Sequence, residues 1–342
     1  MKKQLFSHAS FVLLACTAMI FSGCSSKKYF EPEQTFSVSG AATAYGDEIV
    51  DQSRDGATLK SGRYIGKSGI SSLNLGEGYR FLSESGSYVL ASNIEGKLKI
   101  INKRTGAISR TVNFEIPIVS ATIHNGVVAY ILNDNTFGLY RVSSDKKLVE
   151  SKSEKTFAID TRAATPMFIE NLAVIPMLDG KLIIISVDDT DNANVVYLSS
   201  EDAFNNVIYL SRMGNTMIAA TPQKVITIGD LGENEYRANV SDVTHLSGSI
   251  YLFTKEGEII KMDASLSEKA RKKFKYVHFS AISAYGGRIF ALDQKGSLIV
   301  LNTALNKYKI YDVGEVDKAV FMKGAKLYKD GKIIDLSKLG YQ

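Results

Sequence analysis

The chain has 342 residues, 45% of them hydrophobic, with 41 basic and 36 acidic side chains and a formal net charge of +5. A charge this close to zero does not support binding to nucleic acid. The length is enough to bury one large core or two ordinary ones.

The first 23 residues have the order of a secretory leader. Lys2 and Lys3 precede an uncharged apolar run over 11–21, and Ser22 and Gly23 follow it. The run is shorter than the roughly 20 residues that a helix needs to cross a bilayer, so it predicts an export signal over 1–23. Without it, 39 basic and 36 acidic side chains remain, a net charge of +3.

The segment Phe21-Ser22-Gly23-Cys24 resembles the lipobox of bacterial lipoproteins, in which the cysteine thiol receives a diacylglyceryl group. Phe21 departs from the family, which usually has Leu there. The resemblance implies that Cys24 is lipidated; an ordinary secreted protein with a chance cysteine is the alternative. Ser25 stands where Asp would favour the inner membrane in enteric-type lipoproteins, which implies the outer membrane, facing the periplasm. Cys16 leaves with the leader, so disulfides, thiol catalysis and cysteine-based zinc sites are excluded.

The stretch 24–40 is polar, contains Pro32 and lacks a clear hydrophobic period. It is predicted to be a lipidated tether. The rest of the chain, 41–342, is predicted to be a single domain.

Five segments of that domain share an apolar run, a two-residue turn that ends in glycine, and a second apolar run. Their turns are Glu95-Gly96, Asp179-Gly180, Glu256-Gly257, Lys295-Gly296 and Asp330-Gly331. Weaker copies with turns at Asn135-Thr136 and Gln223-Lys224 fill the two long gaps. Seven copies result, at a mean spacing of about 39 residues.

A repeat of this length with only strand and turn signals fits four strands per unit, which is typical of a β-propeller blade. The runs 182–185 and 298–301 are apolar throughout, as strands covered on both faces must be. The sequence therefore predicts an all-β propeller with four-stranded antiparallel blades. Two β-sandwiches are the alternative.

The two ends of the domain decide the number of blades and the closure of the ring. Seven blades are favoured, and eight are the alternative, with Ser61-Gly62 as a further hairpin turn. The last copy lacks a fourth strand, so we expect an N-terminal strand from 36–38 or 58–65 to complete it, because a closed ring has no free sheet edge. Pro176 has no N–H to donate and predicts a bulge or an edge.

The segment 95–108 resembles the repeat of quinoprotein-type propellers: Gly, alternating apolar residues, Asp or Asn, then Thr-Gly. Among lipidated envelope proteins the resemblance is to the BamB family of outer-membrane assembly lipoproteins, as a pattern over 80–342. That repeat usually ends in Trp where Arg110 stands here, and the chain has no Trp. Tyr and Phe are therefore expected between blades, and no quinone or other cofactor is predicted.

No metal site or catalytic residue is predicted. Three histidines follow the leader in different repeats, without ligand spacing: His124, His245 and His278. The acidic segment 188–192 is not a calcium loop, because Ala193 and Ser200 stand where that loop needs ligands.

The densest charge run comprises Lys269, Arg271, Lys272, Lys273 and Lys275. It is a candidate surface for an acidic partner protein, an anionic lipid or a glycan. An ordinary solvated segment between two hairpins is the alternative.

Together these patterns predict a non-catalytic scaffold, anchored through Cys24, whose loops bind an envelope protein. The family resemblance implies the outer-membrane β-barrel assembly machine as that partner. The alternative is an enzyme or glycan-binding propeller that uses its central channel. Convergent Asp, Glu, Arg or His side chains in the channel would favour the alternative, and an apolar or featureless channel with an exposed apolar loop patch would favour protein binding.

Overall fold

The structure, a computed structural model, describes residues 28–156, 159–199 and 204–342. These residues form 33 β-strands and one short 3-10 helix, Leu336–Lys338. The strands make eight separate sheets that follow one another along the chain as the blades of a propeller. The prediction of an all-β propeller is confirmed.

Two strands precede the first blade: β1 (Phe36–Ser37) and β2 (Ala42–Ala44). Blades 1 to 4 then contain, from the inner to the outer strand, β3 (Ile49–Gln52), β4 (Ala57–Leu59), β5 (Tyr64–Gly66) and β6 (Gly69–Ile70); β7 (Arg80–Ser85), β8 (Tyr88–Ser92), β9 (Lys97–Asn102) and β10 (Ile108–Asn113); β11 (Ile118–His124), β12 (Val127–Leu132), β13 (Thr136–Arg141) and β14 (Lys146–Lys152); and β15 (Met167–Ile169), β16 (Leu172–Pro176), β17 (Lys181–Ser186) and β18 (Ala193–Tyr197).

Blades 5 to 8 continue the same order. Their strands are β19 (Tyr209–Met213), β20 (Thr216–Thr221), β21 (Lys224–Gly229) and β22 (Gly232–Arg237); β23 (Val240–Leu246), β24 (Ser249–Thr254), β25 (Glu258–Met262) and β26 (Glu268–Lys273); β27 (Phe279–Tyr285), β28 (Arg288–Asp293), β29 (Ser297–Asn302) and β30 (Tyr308–Asp312); and β31 (Phe321–Lys323), β32 (Lys326–Lys329) and β33 (Lys332–Asp335).

The seven predicted hairpins are the second and third strands of blades 2 to 8. Ser61-Gly62 lies in the turn between β4 and β5 and completes an eighth hairpin. The propeller therefore has eight blades, the larger of the two numbers that the sequence left open.

An N-terminal strand closes the ring, as predicted, but it comes from neither of the two segments that the sequence suggested. β2 pairs antiparallel with β33 and supplies the fourth strand of blade 8. The segment 36–38 contributes β1 instead, which adds to β30 in parallel as a fifth strand of blade 7. The segment 58–65 is already paired within blade 1, so it is not available to blade 8.

Burial explains the apolar pattern of the strands. All six residues of β12 are buried, because the middle strands of a blade are covered on both sides by neighbouring blades. The outer strands β22 and β26 instead alternate between exposed and half-buried residues.

Eight apolar clusters hold the described residues together, one between each pair of adjacent blades. In the cluster that joins the two ends of the ring, Phe321 and Tyr328 of blade 8 meet Leu59 of blade 1. Tyr and Phe fill the contacts as expected. Tyr64 stacks on Phe81 between blades 1 and 2, with ring centroids 4.8 Å apart.

Two positions singled out in the sequence have clear places. Pro176 ends β16 without a bulge, and it lies beyond Val174, the last residue of β16 that pairs with β15. Its missing N–H therefore costs no ladder hydrogen bond. Arg110, which replaces the expected Trp, forms an ion pair with Asp145 of the next blade at 3.1 Å.

Candidate functional site

The middle of the ring is crossed by an ion pair. The turn between β3 and β4 carries Arg54, whose guanidinium donates to both carboxylate oxygens of Asp242 on β23, at 2.6 and 3.2 Å. The side chains of Arg54 and Asp242 are only 20% and 16% exposed. Blades 1 and 6 are not neighbours, and both residues lie on inner hairpins, so this pair spans the interior.

Two aromatic side chains, Tyr209 and His245, complete this group with Arg54 and Asp242. We call the four residues the channel cluster. The Arg54 guanidinium lies 5.6 Å from the centroid of the Tyr209 ring. The Tyr209 hydroxyl shares a hydrogen bond of 2.9 Å with His245 Nδ1. Burial raises the pKa of Tyr209 to about 12 and lowers the pKa of His245. At neutral pH both rings are therefore uncharged, and the ion pair carries the charge.

Other charges near the inner strands are also paired. Arg80 lies 3.6 Å from Asp51 and joins blades 1 and 2. Lys323 lies 3.6 Å from Asp55 and joins blades 8 and 1. Charged side chains thus converge in the channel, but Arg54, Arg80 and Lys323 each face a carboxylate. A substrate would have to break one of these ion pairs before it could use the charge, and a buried charge left without a partner is costly.

The described residues contain no group of three or more His, Cys, Asp and Glu side chains with a metal-binding arrangement. The acidic segment 188–192 forms the loop between β17 and β18. There Asp188 and Asp189 accept hydrogen bonds from Asn171 and Asn192.

The basic run lies on β26, the outer strand of blade 6, and on the connection that follows it. Three of its members form ion pairs: Lys269 with Asp263 at 2.7 Å, Arg271 with Glu258 and Glu268 at 2.7 and 2.6 Å, and Lys273 with Glu258 at 3.5 Å. Lys272 lies over the ring of Tyr308, 4.6 Å from its centroid. Lys275 has no partner in the described part of the chain.

The segment predicted as a tether is described from Lys28 onward, and it lies against the outer edges of blades 6 and 7. The Phe30 ring packs edge-on against Phe274, with centroids 5.9 Å apart. β1 then pairs with β30. An open cavity of about 440 Å³ separates part of the segment from the two blades, between Pro32 and Lys309. The sequence did not predict this packing.

Cys24 and the leader 1–23 lie outside the described residues. Lipidation therefore stays a prediction from the sequence. Within the ranges that the structure covers, no helix is long and apolar enough to cross a bilayer.

Blade 4 has an apolar exposed edge. Its outer strand β18 has the sequence ANVVY and no charged residue, whereas β14, β22 and β26 each carry at least three. Val195 and Tyr197 on β18 are 43% and 65% exposed. Leu172, on β16 of the same blade, and Phe204 are exposed as well. In the described part of the chain β18 pairs on one side only, so its other side presents free backbone groups.

Comparison with known proteins gives two relatives. Over alignments of 384 residues, the chain is 27% identical to the plasminogen-binding protein PgbB of Helicobacter pylori strain J99 and 28% identical to PgbB of strain 26695. Each alignment covers 95% of this chain, and they cover 71% and 70% of the respective relatives. No protein-family model matches the chain.

Solved structures support the architecture. BamB from Moraxella catarrhalis superposes with a TM-score of 0.64 at 17% identity, covering 85% of this chain and 98% of BamB. The C-terminal WD40 domain of Sif2 gives a TM-score of 0.63 at 13% identity, covering 84% of this chain and 94% of that domain. The chain thus has a BamB-like propeller fold, and at these identities the likeness concerns the fold alone.

Proposed function

We propose that this protein is a lipid-anchored scaffold that binds other proteins at the edge of its propeller, at the outer membrane and facing the periplasm. The observation that carries the proposal is the uncharged, exposed outer strand β18, which pairs with β17 on one side and has no partner strand on the other among the described residues. The names of the Helicobacter relatives refer to the binding of a protein, which supports the same class of function. The anchor rests on the sequence around Cys24.

The edge of β18 suits the addition of an extended strand from a partner. Its free N–H and C=O groups can pair with a partner backbone, and exposed side chains beside them give selectivity. Val195 and Tyr197 occupy alternate positions of the strand and share one face. Val196 points to the other side and packs against the apolar cluster between blades 4 and 5, which holds the strand in place.

The test is site-specific photo-crosslinking in cells that produce the full chain. A photoreactive amino acid at Tyr197 is expected to give covalent adducts with one or a few envelope proteins, identified by mass spectrometry. The matched control is the same amino acid at Glu233, an exposed position on the charged outer strand β22. Adducts that are no more abundant at position 197 than at position 233 would contradict the proposed binding surface.

The barrel assembly machine is the finer proposal for the partner, and it rests on the family resemblance. The crosslinking experiment distinguishes the two levels. Adducts with the central barrel protein of that machine would support the finer proposal. Reproducible adducts at position 197 with other envelope proteins only would reject the assembly role and leave the scaffold standing.

One observation favours the alternative of a glycan-binding or enzymatic channel, namely that Arg54, Asp242 and His245 converge there. The ion pair argues against it, because it occupies the groups that would recognise a ligand. Asp242→Asn removes the negative charge that faces Arg54. If the ion pair is purely structural, this variant and the natural protein should bind glycan fragments equally little. Binding of cell-wall glycan fragments by the natural protein that is lost in this variant would favour the alternative.

A further inference from the structure

The N-terminal segment fixes the point at which the chain leaves the propeller. From Phe30 to Phe36 it follows the outer strands of blades 6 and 7, and Phe30 packs edge-on against Phe274. Lys309 holds the other end, with its ammonium 3.9 Å from the centroid of the Phe36 ring. Lys28 lies beside blade 6, 5.7 Å from the centroid of the Tyr276 ring. The chain therefore leaves the rim here and not at either flat face.

The distance from this point to the proposed anchor is short. Three residues lie between Cys24 and Lys28, so the two are four Cα–Cα steps apart, and a fully extended chain spans at most about 3.5 Å per step, or roughly 14 Å. A lipid on Cys24 would thus hold the edge of blades 6 and 7 within about two headgroup layers of the bilayer core.

The exposed side chains at this edge suit a membrane interface. Three tyrosines here are large, exposed hydrophobic residues: Tyr29 (43%), Tyr276 (47%) and Tyr308 (42%). Tyr is enriched at the level of the lipid headgroups, where its ring is apolar and its hydroxyl stays wet.

Lysines surround these rings. Lys28 and Lys272 lie over Tyr276 and Tyr308, and Lys275 has no partner among the described residues. The cavity between the N-terminal segment and the two blades is lined by four lysines and two carboxylates: Lys272, Lys273, Lys275, Lys309, Glu31 and Glu33. Long basic side chains beside aromatic rings place their charges among anionic phosphates while their stems cover apolar surface.

We propose that the edge of blades 6 and 7 is a membrane-facing surface that rests on anionic phospholipid headgroups, so that the propeller disc stands edge-on to the bilayer. This inference rests on the lipid anchor of the proposed function. In a ring of eight blades each blade turns by about 45°, so the outer strand of blade 4 points more than a right angle away from the bilayer and stays open to partners.

The test uses the fluorescence of a single introduced tryptophan. Because the chain contains no Trp, no other indole contributes to the signal. We replace Tyr276→Trp in the full-length, lipidated protein and reconstitute it in vesicles of phosphatidylethanolamine with a quarter of phosphatidylglycerol. The matched control is Ile108→Trp, a 53% exposed position on the outer strand of blade 2, diametrically opposite blade 6. Quenching by lipids brominated near the headgroup is expected to be about twofold or more stronger for Trp at 276.

Flotation of the same vesicles separates the two levels of the proposal. Protein that floats but shows equal quenching at 276 and 108, or stronger quenching at 108, would overturn the orientation and leave the anchor intact. Protein that does not float would overturn the anchor and the orientation together.

The role of the lysines is tested by charge removal. Lys272→Gln with Lys275→Gln, added to the variant with Trp at 276, should lower quenching toward the value found in phosphatidylcholine vesicles. Arg104→Gln with Lys146→Gln removes two charges from the opposite rim and should leave quenching unchanged. A loss of the same size in both double variants would show that quenching depends on the net charge of the protein and not on the lysines of this edge.

Discussion

At the scale of single residues, the turn glycines show why the hairpins form where the sequence placed them. Gly257, in the turn between β24 and β25, has a φ of +78°, and a Cβ there would lie 2.2 Å from the carbonyl oxygen of Phe274. Gly248, in the other turn of β24, has a φ of +75° but faces open space. Both turns need a residue with left-handed backbone angles, but only at Gly257 would a side chain also collide with the backbone of another strand connection.

Alanine at these two positions separates the two effects. We expect Gly248→Ala to lower the free energy of unfolding by about 1 kcal/mol, the cost of a left-handed alanine. Gly257→Ala should cost about 3 kcal/mol or more, because the backbone at Phe274 must also move. Urea unfolding followed by circular dichroism measures both, and equal losses would contradict the explanation.

His245 links stability to pH. Burial lowers its pKa below the ordinary value of 6.5, so in mild acid the unfolded chain binds a proton more readily than the folded protein. The contribution of this group is complete above about pH 6.5 and is lost as the pH falls through and below that value. We expect His245→Gln to flatten the decrease in unfolding free energy between neutral pH and mild acid. His278→Gln, which removes an exposed histidine, is the control, and equal flattening in both variants would contradict the explanation.

The channel cluster could not be predicted from the sequence. Arg54 and Asp242 are 188 positions apart, and neither belongs to a recognisable motif. Their contact depends on how blades 1 and 6, three positions apart around the ring, are turned toward the channel, which in turn depends on the number of blades. The three dispersed histidines lack ligand spacing, and that criterion does not show that His245 contacts Tyr209.

At the scale of secondary-structure elements, the outer strands decide which edges of the propeller are open. β2 is exposed at all three residues, yet it closes blade 8 through its backbone. Asp335 N–H donates to the Ala41 carbonyl and Tyr45 N–H donates to the Gly331 carbonyl, at 2.8 Å each. Alternation along an antiparallel pair therefore directs the Thr43 N–H toward β33 and the Ala44 N–H toward solvent.

Proline at these two neighbouring positions tests the closure of the ring. Thr43→Pro removes a ladder donor and is expected to lower the free energy of unfolding by about 1–3 kcal/mol. Ala44→Pro removes an N–H on the open side, where an edge strand tolerates proline, and should cost clearly less. Thermal unfolding measures the difference. Equal, small effects would mean that β2 does not hold blade 8 in place.

The same elements show how far the sequence could be interpreted. Seven hairpins with two apolar runs can be recognised in the sequence, five of them also by a glycine turn, because strands buried on both faces have an unmistakable apolar composition. Blade 1 has short strands, such as Ala57–Leu59 and Tyr64–Gly66, so its hairpin offers few apolar residues and the sequence predicts it only as an alternative eighth copy. β2 is Ala-Thr-Ala, and only the geometry of the closed ring gives that segment its role.

At the scale of the whole molecule, the ion pair between Arg54 and Asp242 acts as a brace across the ring. We expect Asp242→Ala to destabilise the protein by about 3 kcal/mol, because it leaves a largely buried guanidinium without its carboxylate. The combined variant Arg54→Met and Asp242→Leu should recover most of this loss. Chemical denaturation provides both values.

A surface pair provides the control for this brace. Glu95 and Lys97 form an ion pair at 2.7 Å, but their side chains are 63% and 44% exposed, so Glu95→Ala should change stability by less than about 1 kcal/mol. A cost for Asp242→Ala as small as that for Glu95→Ala would show that the interior pair is not a brace.

The joint between β2 and β33 also has a consequence for biogenesis. Ala42 is paired with Ile334, 292 positions later in the chain. A ribosome makes the two partners at opposite ends of translation, so the first seven blades can assemble while blade 8 still lacks three of its strands. Until the last residues are available, the propeller is an open arc with an unpaired strand edge at each end, and the chain is then most exposed to aggregation.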